Sequence, residues 1–386
     1  MAGGVACGIK AGGGPDLALV ATADGRPVPA AGVFTANLAA AAPVQVSRRH
    51  LQATGGRAAA VVLSSGNANA ATGSAGLAAA AEMCEVVAAG LAAGAPEPRP
   101  EHVLVCQTGL IGIPLPMGPV RAGLPAVVAQ RAGDRQAAAL AARAIMTTDT
   151  VPKEVVVSGD GFSVGAMAKG AAMLAPNMAT MLAVLTTDAE AEPGVLHGAL
   201  ARAVAGSFNR LTVDGCTSTN DTVLVLASGR SGVRPAPAAL GEALAGACSQ
   251  LARMMADDAE GATKVAVVRV TGAASDADAE RAARRVAESQ LVQCSLNGAD
   301  PYWGRVVSEL GSAGVAFDLD RVAVAYGGVT VCSGGIAAAH DEAAVAAHMA
   351  GRTVEIACDL GLGAGTAALL TTDLGYGYID ENRTTS

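Results

Sequence analysis

Aromatic residues are scarce in this chain: only 2% of its 386 residues are Phe, Trp or Tyr. Alanine and glycine are abundant instead, and 51% of the residues are hydrophobic. A core without large rings must be built from Ala, Val, Leu and Gly, whose small side chains let helices and sheets pack closely. We therefore expect a layered α/β architecture, and the length predicts one large domain or two to three lobes.

Charged residues are also sparse, at 16% of the chain, with a net charge of −8 and no block of Lys or Arg. Nucleic-acid binding needs clustered positive charge to neutralise phosphates, so we expect no nucleic-acid partner. No run of 18 apolar residues is free of charges and turn formers, and residues 1–16 lack the basic and apolar regions of a signal peptide. We therefore expect no membrane partner and a cytoplasmic location.

Motifs for metals, disulfides and nucleotides are missing as well. The eight cysteines form no CxxC pair and no Cys/His ligand spacing, which favours free thiols in a reducing compartment. The five histidines lie in no HExxH motif, and no GxSxG motif occurs. The segment "GLGAG" at 361–365 has Thr366 where a dinucleotide-binding turn needs its third glycine, so we interpret it as a tight turn. The sequence thus predicts no metal and no cofactor.

Short apolar runs rich in β-branched residues alternate irregularly with alanine-rich helical stretches, which favours a mixed or antiparallel sheet. The predicted strands are 59–63, 103–106, 154–157, 182–186, 222–227, 264–270, 321–326, 329–332, 353–357 and 367–371. The predicted helices are 74–91, 136–146, 195–207, 238–255 and 275–293. Ser275 is expected to cap the last of these helices, because acidic residues follow it in the first turns.

One strand end offers chemistry. In "VCQTGLIGIPLP" at 105–116, a strand runs into Thr108 and Gly109. A hydroxyl beside an uncovered backbone N–H supplies the two donors that an oxyanion hole needs. An ordinary strand-to-loop turn is the alternative.

Three polar segments lie between apolar strands: "SSGNANAATG" at 64–73, "FNRLTVDGCTSTNDT" at 208–222 and "DDAEGATK" at 257–264. Such clusters are usually turns, but the density of the first two also suits a polar lattice that supports a site. In the third, Glu260 precedes a strand and could bind an ammonium group or lie in a solvated turn.

The segment "KGAAMLAPNMATMLAVLTTDAE" at 169–190 leads a Gly- and Pro-containing loop into an apolar strand, with Thr180 at its entrance. A threonine can act as a nucleophile without histidine if its own α-amino group is the base. That requires cleavage between Ala179 and Thr180, through an acyl shift onto the threonine hydroxyl and hydrolysis of the ester. A plain buried strand preceded by a turn is the alternative.

These segments, together with "GVFTAN" at 32–37, "IMTTDTVPK" at 145–153, "ADPYWGR" at 299–305 and "TTDLGYGYIDEN" at 371–382, resemble the motifs of the ornithine acetyltransferase family in order. This family is also called the ArgJ-type glutamate N-acetyltransferases, and the resemblance covers essentially the whole chain. It implies an α-β-β-α sandwich that resembles N-terminal nucleophile hydrolases, with smaller α/β lobes. The expected regions are a sandwich core over 1–190, a middle α/β region over 191–285 and a C-terminal lobe over 286–386.

The resemblance also implies an activity and its residues. The enzyme would cleave itself into chains 1–179 and 180–386, and two copies of each would form a heterotetramer. It would move an acetyl group from N2-acetylornithine to glutamate through an acetyl-Thr180 intermediate in the cyclic arginine pathway, and acetyl-CoA stays open as a further donor. Thr180 would be the nucleophile, with Thr108 and Gly109 as the oxyanion hole. The residues expected to bind substrate are Thr147, Lys169, Thr180, Glu260, Asn382 and Ser386.

Some positions depart from the family pattern. They are Gln107 for a usual Ser, Ala71 for Cys, Cys216 for Asp, Tyr302 for Asn and Ala172 for Gly, and the tail is one residue short. None of them removes the expected nucleophile, oxyanion pair, Lys169 or Glu260, so they bear on substrate choice more than on acyl transfer. A related acyltransferase of a specialised pathway, an amidase or aminopeptidase of the same architecture, and an uncleaved binding protein stay open as alternatives.

Overall fold

The computed structural model describes residues 1–91, 98–173 and 181–383. The predicted cleavage residues Ala179 and Thr180 lie outside these ranges, as does Ser386. The strands are β1 (Ala2–Val5), β2 (Leu17–Ala21), β3 (Val28–Phe34), β4 (Arg57–Ala58), β5 (Ala60–Asn67), β6 (Val103–Leu110), β7 (Lys153–Ser158), β8 (Ser163–Lys169), β9 (Leu182–Thr187), β10 (Thr222–Ala227), β11 (Val265–Ala273), β12 (Ala323–Tyr326), β13 (Val329–Ser333), β14 (Ile336–Ala337), β15 (Thr353–Asp359) and β16 (Gly365–Thr372).

Many of the helices that lie within the described ranges are rich in alanine. The helices are α1 (Ala42–Ala53), α2 (Gly73–Leu91), α3 (Met117–Gln130), α4 (Arg135–Ala144), α5 (Pro193–Ala205), α6 (Pro237–Asp257), α7 (Asp276–Ala287), α8 (Gln290–Asn297), α9 (Trp303–Gly311), α10 (Glu342–Ala350) and α11 (Tyr376–Glu381). Helices α8, α9 and α11 contain no alanine. The mixed α/β class predicted from the sequence is confirmed.

The chain divides into two compact units. The N-terminal unit contains Met1–Asn209 and Cys216–Met255, and the C-terminal unit contains Arg210–Gly215 and Ala256–Thr385. The middle region expected at 191–285 is therefore shared between the two units.

The N-terminal unit is a sandwich of two sheets. One sheet has the strand order β1-β2-β5-β6, and the other has the order β4-β3-β10-β9-β8-β7. Strand β5 shows how the layers form, because successive side chains of a strand point to opposite faces. Val62 belongs to a core that includes residues of α1, α2 and α3, whereas Val61 and Leu63 belong to a core shared with Leu182 and Val184 of β9. Helix α5 contacts β3 and β10 of the second sheet, which completes the expected α-β-β-α order.

The C-terminal unit has one six-stranded sheet in the order β14-β13-β12-β15-β11-β16. Its core is built from this sheet and from helices α7 to α10. The single helix predicted over 275–293 is wrong, because the structure has α7 and α8 with a break at Glu288. Ser289 causes the break: its hydroxyl accepts the N–H of Val292 and so starts a new helix. Ser275 caps α7 as predicted, accepting the N–H of Asp278.

In this unit the structure also corrects the start of one predicted strand and agrees with one predicted turn. The strand predicted from 321 begins at Ala323, because Leu319–Arg321 form a 3₁₀ turn. The segment "GLGAG" connects β15 to β16, with Gly361 at a φ of +63°, in keeping with a tight turn.

Among the described helices, α2 is long and apolar enough to cross a membrane by length and composition. Its side chains Met83, Val87 and Leu91 are buried in the core beneath the first sheet. This packing is that of a core helix in the sandwich.

Candidate active site

The end of β6 carries the predicted oxyanion pair. Thr108 is 2% exposed, and Gly109 follows it at the exposed end of the strand with a φ of +129°. Strand β6 runs parallel to β5 there, and Gly109 lies opposite Gly66. A Cβ atom on Gly109 would lie 2.3 Å from the carbonyl carbon of Gly66. Both the positive φ and this close approach require glycine at position 109.

A polar lattice supports this strand end. This is one of the two roles predicted for the segment 64–73. The Gln107 side chain is fully buried, and its Nε2 donates to the Ser64 hydroxyl at 3.2 Å. Asn69 Nδ2 donates to Gln107 Oε1 at 2.8 Å and to the carbonyl of Gly76 at 2.9 Å. Gln107 is therefore part of the packing behind Thr108.

A buried charge cluster forms around Asp149, which the sequence analysis did not identify. The Asp149 carboxylate accepts hydrogen bonds from Lys153 Nζ at 2.8 Å, from the Gly170 N–H at 2.8 Å and from the Thr147 N–H at 3.1 Å. The ammonium of Lys169 lies 4.0 Å from the same carboxylate. The structure thus brings the predicted residues Thr147 and Lys169 together through Asp149.

The charges in this cluster determine the protonation state of Asp149. Burial would raise the pKa of Asp149, but the positive charges of Lys169 and Lys153 and the Gly170 N–H outweigh burial and lower the pKa to about 2. Asp149 is therefore an anion at neutral pH. A carboxylate in this position holds the ammonium of Lys169, a residue only 2% exposed, at the end of β8.

The start of β9 lies beside Lys169. Met181 is the first described residue after 174–180, and its N–H donates to Asp221 Oδ1 at 2.8 Å. Leu182 pairs with Lys169 across β8 and β9. Burial raises the pKa of Asp221 well above its ordinary value, although the Met181 N–H and the charge of Lys169 oppose this shift.

The residue next to Asp221 joins the two sheets. Asn220 Nδ2 donates to the carbonyl of Gln107 at 2.8 Å and to the carbonyl of Ala68 at 2.6 Å. Since Gln107 precedes Thr108 and Asp221 holds Met181, two adjacent residues tie the end of β6 to the start of β9. The polar segment 208–222 was predicted as turns or as lattice, and Asn220 and Asp221 perform the second role.

In the C-terminal unit, two residues that were predicted to bind substrate form a hydrogen bond. Glu260 Oε2 accepts a hydrogen bond from Asn382 Nδ2 at 2.8 Å. Glu260 lies in the turn before β11, and Gly261 fixes that turn because a Cβ there would lie 2.1 Å from backbone atoms of Gly377 and Tyr378. The carboxylate of Glu260 is therefore held in place by backbone packing and by the amide of Asn382.

The described residues contain no group of three or more His, Cys, Asp or Glu side chains that could hold a metal ion. A cavity of about 520 Å³ opens in the N-terminal unit near Met1, Val20 and Arg230. It also reaches Thr186 and Thr187 at the far end of β9, away from Met181, and none of the predicted site residues that the structure describes lines it.

On this sandwich, Asn220 and Asp221 tie the strand end of Thr108 and Gly109 to the start of β9, and the two strand ends form a candidate acyl-transfer site. The model of the ArgJ family matches residues 1–384, so the chain belongs to the ArgJ family. This confirms the family resemblance found in the sequence.

The relatives agree with this assignment. The "Arginine biosynthesis bifunctional protein ArgJ" of Mycobacterium tuberculosis (strain ATCC 25618 / H37Rv) is 49% identical over 382 residues, covering 99% of this chain and 93% of the relative. The protein of the same name from Thermobifida fusca is 46% identical, covering 99% of this chain and 96% of the relative.

Two crystal structures match about half of this chain. The crystal structure of an ArgJ protein from Bacillus halodurans is 36% identical, with a TM-score of 0.49, covering 51% of this chain and 96% of that chain. The ornithine acetyltransferase of Mycobacterium tuberculosis complexed with ornithine is 48% identical, with a TM-score of 0.43, covering 45% of this chain and 90% of that chain.

Proposed function

We propose that this protein is an ornithine acetyltransferase of arginine biosynthesis, which moves an acetyl group from N2-acetylornithine to glutamate. Family membership and the names of the relatives support the reaction class. The observation that carries the proposal is the tie made by Asn220 and Asp221. Asp221 accepts the N–H of Met181, the residue after Thr180, and Asn220 donates to the carbonyl of Gln107, the residue before Thr108, which supports a site shared by Thr180, Thr108 and Gly109.

The proposed reaction has two halves. The Thr180 hydroxyl attacks the acetyl carbonyl of N2-acetylornithine, and the α-amino group freed by cleavage after Ala179 accepts the hydroxyl proton. The Thr108 hydroxyl and the Gly109 N–H stabilise the oxyanion. The C–N bond then breaks, and ornithine leaves with the proton as its amine. The amine of glutamate attacks the acetyl-Thr180 ester, which returns the proton to the Thr180 oxygen and gives N-acetylglutamate.

The proposal includes the substrate contacts. Lys169 would bind a substrate carboxylate by a charge-assisted hydrogen bond, with Thr147 beside it. Glu260 would bind an ammonium group, and Asn382 and Ser386 keep the substrate-binding roles that the resemblance implies. Acetyl-CoA stays open as a second donor. We also propose a cytoplasmic heterotetramer with two copies of each processed chain, and we propose no metal.

The test begins with processing. A denaturing gel of the purified protein should show two fragments, and the C-terminal fragment should begin Thr-Met-Leu. Thr180→Ala should abolish both cleavage and acetyl transfer, whereas Thr180→Ser should keep part of each because the hydroxyl survives. A single intact band in active wild-type enzyme, or turnover by Thr180→Ala, would show that the nucleophile lies elsewhere.

A second measurement separates transfer from hydrolysis. The acetyl-enzyme formed from N2-acetylornithine is mixed with glutamate, and N-acetylglutamate and acetate are both quantified. The proposal predicts mainly N-acetylglutamate. Acetate alone, at a rate that does not depend on glutamate, would identify an amidase of the same architecture.

A further inference from the structure

Lys10, a lysine outside the predicted site, lies on a loop whose backbone is held by one buried carboxylate. The buried carboxylate of Asp16 accepts four consecutive backbone N–H groups, from Cys7 at 2.7 Å, Gly8 at 3.0 Å, Ile9 at 2.6 Å and Lys10 at 3.1 Å. A carboxylate bound in this way fixes the backbone conformation of the whole loop. The Cα of Lys10 therefore has a defined position.

The side chain of Lys10 runs past the end of β5, the strand that pairs with the oxyanion pair on β6. Gly66 has a φ of +103°, and a Cβ atom there would lie 3.1 Å from Cγ of Lys10. Gly66 is the residue opposite Gly109 in the pairing of β5 and β6. The stem of Lys10 is thus packed beside the backbone that flanks Gly109.

The ammonium of Lys10 shares the electrostatic environment of the charge cluster. Burial lowers the pKa of Lys10, the carboxylates of Asp16 and Asp149 oppose that change, and the positive charge of Lys169 adds to it. Lys10 Nζ donates to the carbonyl of Pro15 at 2.9 Å. An ammonium has three donors, so this bond leaves capacity for a ligand oxygen.

We propose that Lys10 binds the side-chain carboxylate of the acceptor glutamate and so selects the acceptor. The inference rests on the proposed function. Glutamate carries two carboxylates, and Lys169 addresses one of them. Ornithine carries a side-chain ammonium instead, which the ammonium of Lys10 repels. Lys10 is therefore needed for the second half of the reaction and contributes little to the first.

The experiment compares two acceptors on preformed acetyl-enzyme. Glutamine has the shape of glutamate but lacks the side-chain charge, so the ratio of kcat/KM for glutamate to that for glutamine reports the contact. Lys10→Met should lower kcat/KM for glutamate about 10- to 100-fold, as expected for one lost charge-assisted hydrogen bond, and leave glutamine nearly unchanged. Acetyl-enzyme formation from N2-acetylornithine should not be slowed, because Lys10→Met removes a positive charge that repels the side-chain ammonium of ornithine.

Three variants serve as controls. Lys10→Arg keeps the charge and should keep most of the preference for glutamate. Arg143→Met removes an exposed charge from the last turn of α4 and should leave both acceptors unchanged. Lys169→Met should weaken both acceptors alike, because each has an α-carboxylate. Because the ratio is measured within one preparation, a smaller folded fraction of Lys10→Met does not alter it, and Lys10→Gln provides a second neutral variant.

The outcomes separate the two proposals. If Lys10→Met and Lys10→Gln keep the wild-type ratio, or slow acetyl-enzyme formation as much as glutamate discharge, Lys10 does not select the acceptor. Either result leaves the acetyltransferase proposal standing. If wild-type enzyme transfers no acetyl group to glutamate, the proposed function fails and the role of Lys10 fails with it.

Discussion

Replacing Asp149 by asparagine tests the centre of the candidate site. The carboxylate is buried between Lys153, at 2.8 Å, and Lys169, at 4.0 Å. Asparagine keeps the shape but leaves two buried ammonium groups without this anion. Loss of one partner from a buried ion pair costs roughly 3–5 kcal/mol. The lowering of the pKa of Asp149 from 3.8 to about 2 corresponds to about 2 kcal/mol of stability at neutral pH.

The pH dependence of the free energy of unfolding tests the same contribution of Asp149. The pKa of Asp149 is lower in the folded protein than in the unfolded chain, so the stabilisation is present above about pH 4. It is lost as the pH falls toward the folded pKa near 2. The free energy of unfolding of the parent protein should therefore decrease between pH 4 and pH 2 more steeply than that of Asp149→Asn.

Denaturant unfolding followed by far-UV circular dichroism measures this effect, in a Thr180→Ala background so that every sample is a single chain. We expect Asp149→Asn to lower the free energy of unfolding by about 2–5 kcal/mol at pH 7. Asp24→Asn is the control, because Asp24 is 61% exposed beside Arg26 and should change stability by less than about 1 kcal/mol.

A double variant tests whether the buried lysine charges cause the loss of stability in Asp149→Asn. Adding Lys153→Met to Asp149→Asn removes one of the two buried ammonium groups and should recover part of the stability. The argument fails if Asp149→Asn is no more destabilising than Asp24→Asn, or if the double variant is less stable than Asp149→Asn alone.

Two further predictions concern catalysis. Thr108→Ala should lower kcat about 10²-fold in fully processed enzyme, because one oxyanion donor is lost, and steady-state kinetics that show a change in KM alone would reassign Thr108 to substrate binding. Glu260→Gln should slow acetyl-enzyme formation from N2-acetylornithine more than discharge by glutamate, because the amide cannot pair with an ammonium charge. Rapid-quench measurement of the two half-reactions decides this, and a defect in the glutamate step alone would contradict the assignment of Glu260.

The elements predicted from sequence were those with a strong local signal. The mainly apolar strand β10 was predicted with its observed bounds, 222–227, whereas β6 was predicted over 103–106 and continues through polar residues to Leu110. Helix α3 was missed because it contains Gly118, Gly123 and Pro125, which disfavour a helix. The structure forms it nevertheless, since Val120, Leu124 and Val127 are fully buried against the first sheet. Tertiary packing overrides local propensity there.

Asp149 was missed for a different reason. Its partners are four and twenty residues away along the chain, and Lys169 comes near it only because β8 ends there. No helical or strand periodicity relates Asp149 to Lys169, so a reading of local patterns cannot pair them. Thr108 and Gly109, by contrast, are adjacent in sequence, so their geometry could be inferred from one strand end.

One sequence signal could have identified the cluster. Lys153 is the first residue of β7, Lys169 is the last residue of β8, and Lys264 directly precedes β11, and all three are buried. A lysine beside an apolar strand can pack its stem in the core while its ammonium lies at the strand end. Burial of that ammonium is costly unless an anion or several acceptors are fixed nearby. In a chain with so few charges, each such lysine therefore predicts a partner, which for Lys153 and Lys169 is the buried carboxylate of Asp149.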